Sequence, residues 1–218
     1  EARREVEQRL EERMPADALE GILIRSRADY VFKKGDLIQN GSGFGALENR
    51  RRQQTGERLL PEHLDFGEPG DAQRHWMELL ETGRLPEPRP DEVPPSYLVD
   101  DAWFDLVRRS REQDGRNWYA AYMEGLFHMS RGAYPEAEAC FEASRALQPA
   151  CWNLYALAIC RYAQRDTEGG VPYLLEAMDR RPEDVSLARD VFRFLQECGQ
   201  YDRIVERYTL FSTPLQQD

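Results

Sequence analysis

The sequence predicts an all-α fold in which helical hairpins are stacked in tandem, because the second half of the chain repeats itself. Positions 125, 141 and 149 recur 33 residues later, and positions 132, 134 and 141 recur 67 residues later. The first set pairs Gly125 with Ala158, Phe141 with Leu174 and Pro149 with Pro182; the second pairs Gly132 with Gly199, Tyr134 with Tyr201 and Phe141 with Tyr208. Small residues where two helices touch, and Pro at the exit, are typical of a repeated helix-turn-helix unit. We therefore predict three units over residues 118–150, 151–184 and 185 to the end, the last without a full second helix.

The spacing of these positions, together with Ala137, resembles the tetratricopeptide repeat family. The resemblance implies a solenoid of helical hairpins with a curved inner face, and such repeats are binding scaffolds that carry no chemistry of their own. One departure lies in the first helix, where a large apolar pair is usual and this chain has Ala121 and Glu124.

The amino-acid composition argues against some classes of binding partner. The chain has 218 residues, 41% of them hydrophobic, 32% charged, and a formal net charge of -11. We expect no nucleic acid partner and no membrane partner, because both favour a basic face and no apolar run approaches the ~20 residues needed to span a bilayer. The chain begins at Glu1 rather than Met. Two interpretations of that start stay open, a fragment of a longer protein or the loss of a signal peptide.

The four cysteines, at positions 140, 151, 160 and 198, predict reduced and buried thiols rather than a disulfide framework. Their mutual gaps match no metal-ligand spacing, so we expect no metal and no cofactor. A cytoplasmic location follows as the default expectation.

The first half predicts irregular helices. Residues 1–13 and 15–32 read as a helical hairpin, a glycine-rich turn over 39–45 opens a short helix ending near Gly56, and a loop over 64–70 precedes a helix over 71–82 closed by Gly83. Three arginines at positions 50–52 point in different directions on the short helix, which predicts a solvated face. Phosphate binding by the glycine turn is disfavoured, since no strand precedes it and no Lys-Ser or Lys-Thr follows.

A proline-rich stretch with interspersed acids follows, and it predicts an extended segment. It is either a strap across the surface or a linker between two helical layers. Asp100 or Asp101 then caps a helix that ends near Gly115 and covers the first repeat. The predicted domains are thus residues 1–84, a linker or strap over 85–96, and the capping helix with three repeats over 97–218.

A second resemblance rests on four strings in order. These are GSGFGALENRRRQQTG at 41–56, LDFGEPGDAQRHWMELLETGRLPEP at 64–88, PPSYLV at 94–99 and NWYAAYMEGLFHMSRGAYPEA at 117–137. Together they look like the C-terminal half of large bacterial proteins of unassigned function, whose N-terminal half resembles a galactose-mutarotase-like β-sandwich. The resemblance implies a carbohydrate-associated multidomain protein. Because this chain lacks the sandwich, no sugar-binding or catalytic residue of that family carries over to it.

Aromatic side chains replace the Lys, Arg and Asn that carboxylate-binding repeat proteins present on the inner face. The positions that we expect to form a partner-binding or intramolecular docking groove are Tyr119, Tyr122, Met129, Trp152, Tyr155 and Tyr162. Cover by residues 97–115 or by an adjoining domain is the favoured interpretation, because long exposed apolar patches are rare on monomers.

A structural polar cluster is predicted from Glu124 and His128, one helical turn apart, with Arg161 at the matching position of the next repeat. A carboxylate beside His could do acid-base work, but no nucleophile accompanies the pair. An ion pair that sets the register of the repeats is the expected role, and the chain contains no catalytic motif.

Two function classes remain. The first is a non-catalytic scaffold that holds a protein partner or an adjoining domain. The second is the helical part of a carbohydrate-active enzyme, in which Trp76, Trp118 or Trp152 would stack on sugar rings. Self-association as a homodimer through the end of the third repeat is a further expectation, because its apolar residues would otherwise lack cover.

Overall fold

The structure, a computed structural model, describes residues 43–60 and 66–208. The helices predicted over 1–13 and 15–32, and the start of the glycine turn, lie outside the described residues. The chain divides into two compact units. The first contains the described residues up to Arg84 together with Pro95–Asp100, and the second contains Leu85–Pro94 and the residues from Asp101 onward.

The first unit contains helix α1 (Phe44–Thr55), a 3₁₀ turn (Asp71–Gln73) and helix α2 (Arg74–Thr82). The helix predicted over 71–82 is confirmed, with its first turn wound more tightly. Both α-helices end at a glycine in the left-handed conformation, Gly56 and Gly83, each with a φ of 73°. Glycine adopts this conformation without the steric penalty of a side chain, which is why it stops helices.

The glycine turn accommodates a loop of the same unit. A Cβ on Gly45 would lie 2.0 Å from the ring of Phe66, and a Cβ on Gly43 would lie 2.6 Å from the carbonyl oxygen of Glu68. The N–H of Gly43 donates to the carbonyl of Phe66 at 2.6 Å. The start of α1 is therefore filled by the chain's own loop, so the glycines need neither a phosphate nor an upstream β-sandwich to explain them.

The prediction of a solvated arginine face is wrong for Arg51, which is only 5% exposed. Its guanidinium lies between two carboxylates, with Nη2 2.9 Å from Glu48 Oε1 and Nη1 2.6 Å from Glu57 Oε1. The hydrogen bond from Arg51 lowers the pKa of Glu57 to about 2. A buried charge that is paired in this way avoids the desolvation penalty of an isolated one.

The second unit is a tandem array of helical hairpins. Helix α3 (Asp101–Gln113) is followed by three hairpins, α4 (Trp118–Ser130) with α5 (Tyr134–Leu147), α6 (Cys151–Ala163) with α7 (Thr167–Arg180), and α8 (Val185–Glu197) with α9 (Tyr201–Tyr208). The all-α fold class with tetratricopeptide-like hairpins is thereby confirmed. Among the described residues, no helix is long and apolar enough to cross a membrane.

The first hairpin closes where a small residue meets a large one. A Cβ on Gly125 in α4 would lie 2.5 Å from the ring of Phe141 in α5, so only glycine fits there. Phe141 is fully buried, and so is Leu174, its equivalent in the second repeat. The positions that define the repeat are thus buried in the interior of the first two hairpins.

The turns between the paired helices share one backbone conformation. Gly132, Arg165 and Gly199 occupy equivalent places and have φ values of 72°, 65° and 68°. Positive φ is costly for a residue that carries a Cβ. Arg165 takes the position in repeat two that glycine takes in repeats one and three, which explains why the glycine spacing of the sequence skips one unit.

Candidate partner-binding site

The proline-rich segment Leu85–Pro94, hereafter the strap, runs along the starts of two repeat helices. The carboxylate of Glu87 accepts a hydrogen bond from the backbone N–H of Trp118 at 2.8 Å. The carboxylate of Asp91 accepts one from the N–H of Cys151 at 3.0 Å. These are the first residues of α4 and α6, where unpaired N–H groups and the helix dipole favour a negative charge.

The spacing of the two acids fits the spacing of the helices. Glu87 and Asp91 are four residues apart, and an extended proline-rich chain advances about 3.1 Å per residue, or roughly 12 Å in total. Packed helices lie roughly 8–10 Å apart. Four residues are long enough to cover that distance, and the chain does so with a turn over Arg89–Glu92, in which the N–H of Glu92 donates to the carbonyl of Arg89 at 3.0 Å.

The N-terminal end of the strap is anchored by polar contacts. Leu85 is almost fully buried, and its N–H donates to Ser110 Oγ at 2.8 Å. The side-chain amide of Asn117 donates to the Leu85 carbonyl at 2.6 Å, while its oxygen accepts from the N–H of Ala120 at 2.7 Å. Asn117 therefore caps α4 and holds the strap with the same side chain.

The C-terminal end of the strap is held by the second repeat. The indole N–H of Trp152 donates to the Glu92 carbonyl at 2.9 Å, and Arg181 donates to the Asp91 carbonyl. The guanidinium carbon of Arg181 lies 5.5 Å from the centre of the Trp152 ring, a cation–π distance. Arg181 also pairs with Asp184 at 2.9 Å. The repeat surface thus holds an acidic segment through side-chain and backbone groups.

The groove residues of the first repeat lie in the interior. Tyr119 is 1% exposed and Tyr122 is 7% exposed, with their rings stacked at 6.0 Å between centroids. Burial raises the pKa of Tyr119 well above its ordinary value. Met129, at the other end of α4, is half-buried. This part of the predicted groove presents little surface to a partner.

The groove residues of the second repeat lie nearer solvent. Tyr162 is 43% exposed, its hydroxyl donates to Glu197 at 2.9 Å, and its ring lies 4.7 Å from that of Phe194. Tyr155 is half-buried; burial and the nearby carboxylate of Asp190 raise its pKa. Trp152, Tyr155 and Tyr162 follow one another at helical spacing along one side of α6. The side of α6 that contacts the strap through Trp152 therefore extends to the exposed ring of Tyr162.

The polar cluster has a different cation from the one expected. The guanidinium beside Glu124 belongs to Arg111 of α3, which pairs with that carboxylate. Arg161 pairs instead with Asp166 at 2.9 Å and with Glu138. Spacing alone could not identify Arg111, because α3 lies outside the repeats and its approach to α4 is set by packing.

The sequence analysis missed a third neighbour of this cluster. Donor atoms of Glu124, His128 and Cys140 all lie within 4.8 Å of one another. His128 also makes edge contacts with the rings of Phe104 and Phe127 at 5.6 and 5.7 Å. The sequence does contain a signal for this cluster, a Glu-x-x-x-His spacing on one helix and a cysteine on the helix that pairs with it. Comparing only the gaps between cysteines does not detect this pattern.

The tryptophans required by the carbohydrate alternative are largely inaccessible. Trp76 is 1% exposed and donates its indole N–H to Ser96 at 2.9 Å; Trp118 is 4% exposed. Neither presents a ring face to a sugar. Trp152 is half-buried and already contacts the strap and Arg181.

Comparison with known proteins adds little to this picture. No protein-family model matches the chain, and no curated protein matches it. A similar solved structure is that of YrrB, described as a TPR protein with an unusual peptide-binding site; the TM-score is 0.43 and the identity 18%, over 49% of this chain and 56% of that one. The match thus spans less than two thirds of the YrrB chain, and the fold assignment rests on the helices described above.

Proposed function

We propose that this chain is a non-catalytic protein-interaction module whose repeats hold an acidic, proline-containing segment. The observation that carries the proposal is the strap, a segment of that chemistry already bound along the helix starts. Two carboxylates on helix N–H groups and two backbone carbonyls on Trp152 and Arg181 define what the surface recognises. A partner segment with acids four residues apart would make the same contacts.

In this proposal the strap competes with a partner segment for the same surface of the repeats. It is tethered to the repeats, so its effective concentration at the site is on the order of millimolar. A partner gains access when it outcompetes the strap, or when it binds farther along α6, where Tyr155 and Tyr162 extend the surface beyond Trp152. Predicted groove residues in the second repeat thus belong to the partner site, whereas Tyr119 and Tyr122 stabilise the interior.

The test supplies the strap as a separate molecule. The receptor is the full chain with Glu87→Ala and Asp91→Ala, and the probe is a fluorescently labelled peptide of residues 84–95. We expect a saturable rise in anisotropy, because the variant strap leaves two helix starts uncapped, and a weaker response with the wild-type chain, whose own strap competes.

Two controls make the test specific. A probe in which the two acids are replaced by Ala should bind at least about tenfold more weakly, since it loses two charge-assisted hydrogen bonds. A receptor that also carries Trp152→Ala should lose affinity for the original probe. Equal binding of the two probes, or no saturable binding to the variant receptor, would contradict the proposal.

The carbohydrate-associated context implied by the sequence resemblance is a separate proposal, and the structure offers it less support. It needs an aromatic ring with a free face, and among the three tryptophans considered only Trp152 is not buried. Titration with oligosaccharides while recording tryptophan fluorescence tests it. A saturable change that Trp152→Phe removes would support sugar binding, and an unchanged spectrum would contradict it.

A further inference from the structure

The side chains around Glu124 form a mixed set of metal-ligand types inside the first hairpin. Glu124 and His128 lie one turn apart on α4, and Cys140 comes from α5, the helix that pairs with it. Their donor atoms lie within 4.8 Å of one another, and no other group of three such residues in the described ranges 43–60 and 66–208 meets that distance. One carboxylate oxygen, one imidazole nitrogen and one sulfur can converge on one point.

The same point is occupied by a cation that the chain supplies. Arg111 Nη1 contacts the carboxylate of Glu124 and lies 3.8 Å from the sulfur of Cys140. The guanidinium thus bridges two of the three donors. Its side chain is 30% exposed, whereas that of Glu124 is 14% exposed, so Arg111 enters from the solvent side and can leave in that direction.

We propose that Glu124, His128 and Cys140 bind a Zn²⁺-type transition-metal ion, and that Arg111 occupies the site as a substitute cation when no metal is bound. Sulfur and imidazole donors favour Zn²⁺ and related ions over Mg²⁺ or Ca²⁺, which prefer oxygen donors. The site is independent of the strap and lies outside the proposed function.

The geometry and the charge both fit such an ion. In tetrahedral Zn²⁺ sites with bond lengths of about 2.0–2.3 Å, donor atoms lie roughly 3.3–3.7 Å apart. The donor atoms here lie within 4.8 Å of one another, so they need to approach by at most about 1.5 Å to bind such an ion once Arg111 moves outward. A carboxylate and a thiolate together carry two negative charges, which balance a divalent ion, whereas the single charge of Arg111 balances the carboxylate alone.

Binding involves a defined proton balance. A cysteine thiol is ordinarily protonated at neutral pH, whereas a metal ion binds the thiolate. Formation of the metal–sulfur bond breaks the S–H bond and releases one proton to solvent for each ion bound. No electron is transferred, and His128 binds as the neutral imidazole.

The experiment uses Co²⁺ as a spectroscopic probe, followed by displacement with Zn²⁺, on the reduced full chain without a histidine tag. We expect a 1:1 titration with a thiolate-to-cobalt charge-transfer band, visible bands of a tetrahedral ion, and release of one proton for each ion. Cys140→Ser should abolish the charge-transfer band. Cys198→Ser, a half-buried cysteine in the third repeat, is the matched control and should leave the band unchanged.

Variants of the other residues separate a metal site from an ion pair. His128→Gln should weaken Co²⁺ binding by roughly 100-fold or more, since loss even of an outer-shell partner costs 10–100-fold. Arg111→Gln should strengthen it by about tenfold or more, because a competing positive charge is removed. Circular dichroism and thermal melts check that each variant is folded.

Several results of these experiments would overturn the proposed metal site. Absence of a thiolate-to-cobalt band in the folded wild-type chain would overturn the proposal. So would a band that survives Cys140→Ser, or Arg111→Gln that weakens binding in a folded protein. If Cys140→Ser fails to fold, His128→Gln decides, because an unchanged affinity there would place the metal elsewhere.

Discussion

The first and third hairpins share the same sequence positions and differ in burial. Phe141 in α5 is fully buried, whereas its equivalent Tyr208 in α9 is 43% exposed, and none of the eight residues of α9 is buried. The apolar residues Tyr201 and Val205 are also more than half exposed. Among the described helices, α5 packs against both α4 and α6, whereas α9 packs against α8. The burial of a second helix therefore depends on its neighbours and not on its sequence positions alone.

The N-terminal ends of the repeat helices also differ, in the groups that accept hydrogen bonds from their backbone N–H groups. Trp118 and Cys151, which begin α4 and α6, donate their N–H groups to carboxylates of the strap. Helix α8 is instead capped locally, by the Asp184 side chain, which accepts from the N–H of Leu187 at 3.0 Å. Helix α4 is also capped locally, by Asn117, which accepts from the N–H of Ala120 at 2.7 Å. The strap therefore adds a contact from a distant segment to the starts of the first two repeats.

The largest expected effect comes from truncating equivalent core positions. Phe141→Ala should lower the free energy of unfolding by about 3–5 kcal/mol and Leu174→Ala by about 2–5 kcal/mol, because each leaves a cavity in a closely packed interior. Tyr208→Ala should change it by less than about 0.5 kcal/mol. Urea denaturation followed by circular dichroism measures all three. A Tyr208→Ala variant as unstable as Phe141→Ala would show that α9 is packed as tightly as α5.

An intermediate effect is expected from the helix caps. Glu87→Ala, Asp91→Ala and Asp184→Ala should each lower the free energy of unfolding by about 0.5–2 kcal/mol, the usual cost of losing a capping carboxylate. Glu183→Ala, at an exposed acid next to Asp184, is the matched control and should be nearly neutral. The same denaturation assay applies. If the two strap variants behave like Glu183→Ala, the strap does not cap α4 and α6 in solution.

The smallest effect concerns the hairpin turns, and its sign differs between repeats. Arg165→Gly should raise the free energy of unfolding by up to about 1 kcal/mol, because glycine has no steric penalty at positive φ. Gly132→Ala and Gly199→Ala should lower it by about 1 kcal/mol, and since a Cβ at either glycine meets nothing within 4 Å, the cost is purely conformational. Differential scanning calorimetry of the three variants measures the shifts. A destabilised Arg165→Gly would mean that the Arg165 side chain contributes more than the backbone strain costs.

Local patterns in the sequence were sufficient to predict the helices and the contacts within a hairpin. Gly125 and Phe141 predicted a close helix contact, and a Cβ on Gly125 would indeed clash with the Phe141 ring. Gly83 predicted the end of a helix and stands at the end of α2. These predictions succeed because helix periodicity, capping and close packing involve residues within one hairpin, where sequence distance and spatial distance correspond.

Patterns failed where the partner comes from another part of the chain. Arg51 looked solvated because Glu57, one of its partners, lies beyond the end of the helix. Arg161 looked like the partner of Glu124, yet Arg111, from the helix before the repeats, takes that place. Charged side chains are long and can reach several neighbours, so sequence spacing does not identify their partners.

The repeat period and the hairpin positions follow from the amino-acid sequence alone, because each depends on backbone geometry and on contacts between residues close in sequence. Which surface the strap covers, which groove tyrosines remain accessible, and which donors surround Glu124 depended on the tertiary structure. Those features arise from contacts between segments up to 90 residues apart, such as Arg181 with Asp91. Their geometry is set by how whole helices pack, and no local pattern encodes it.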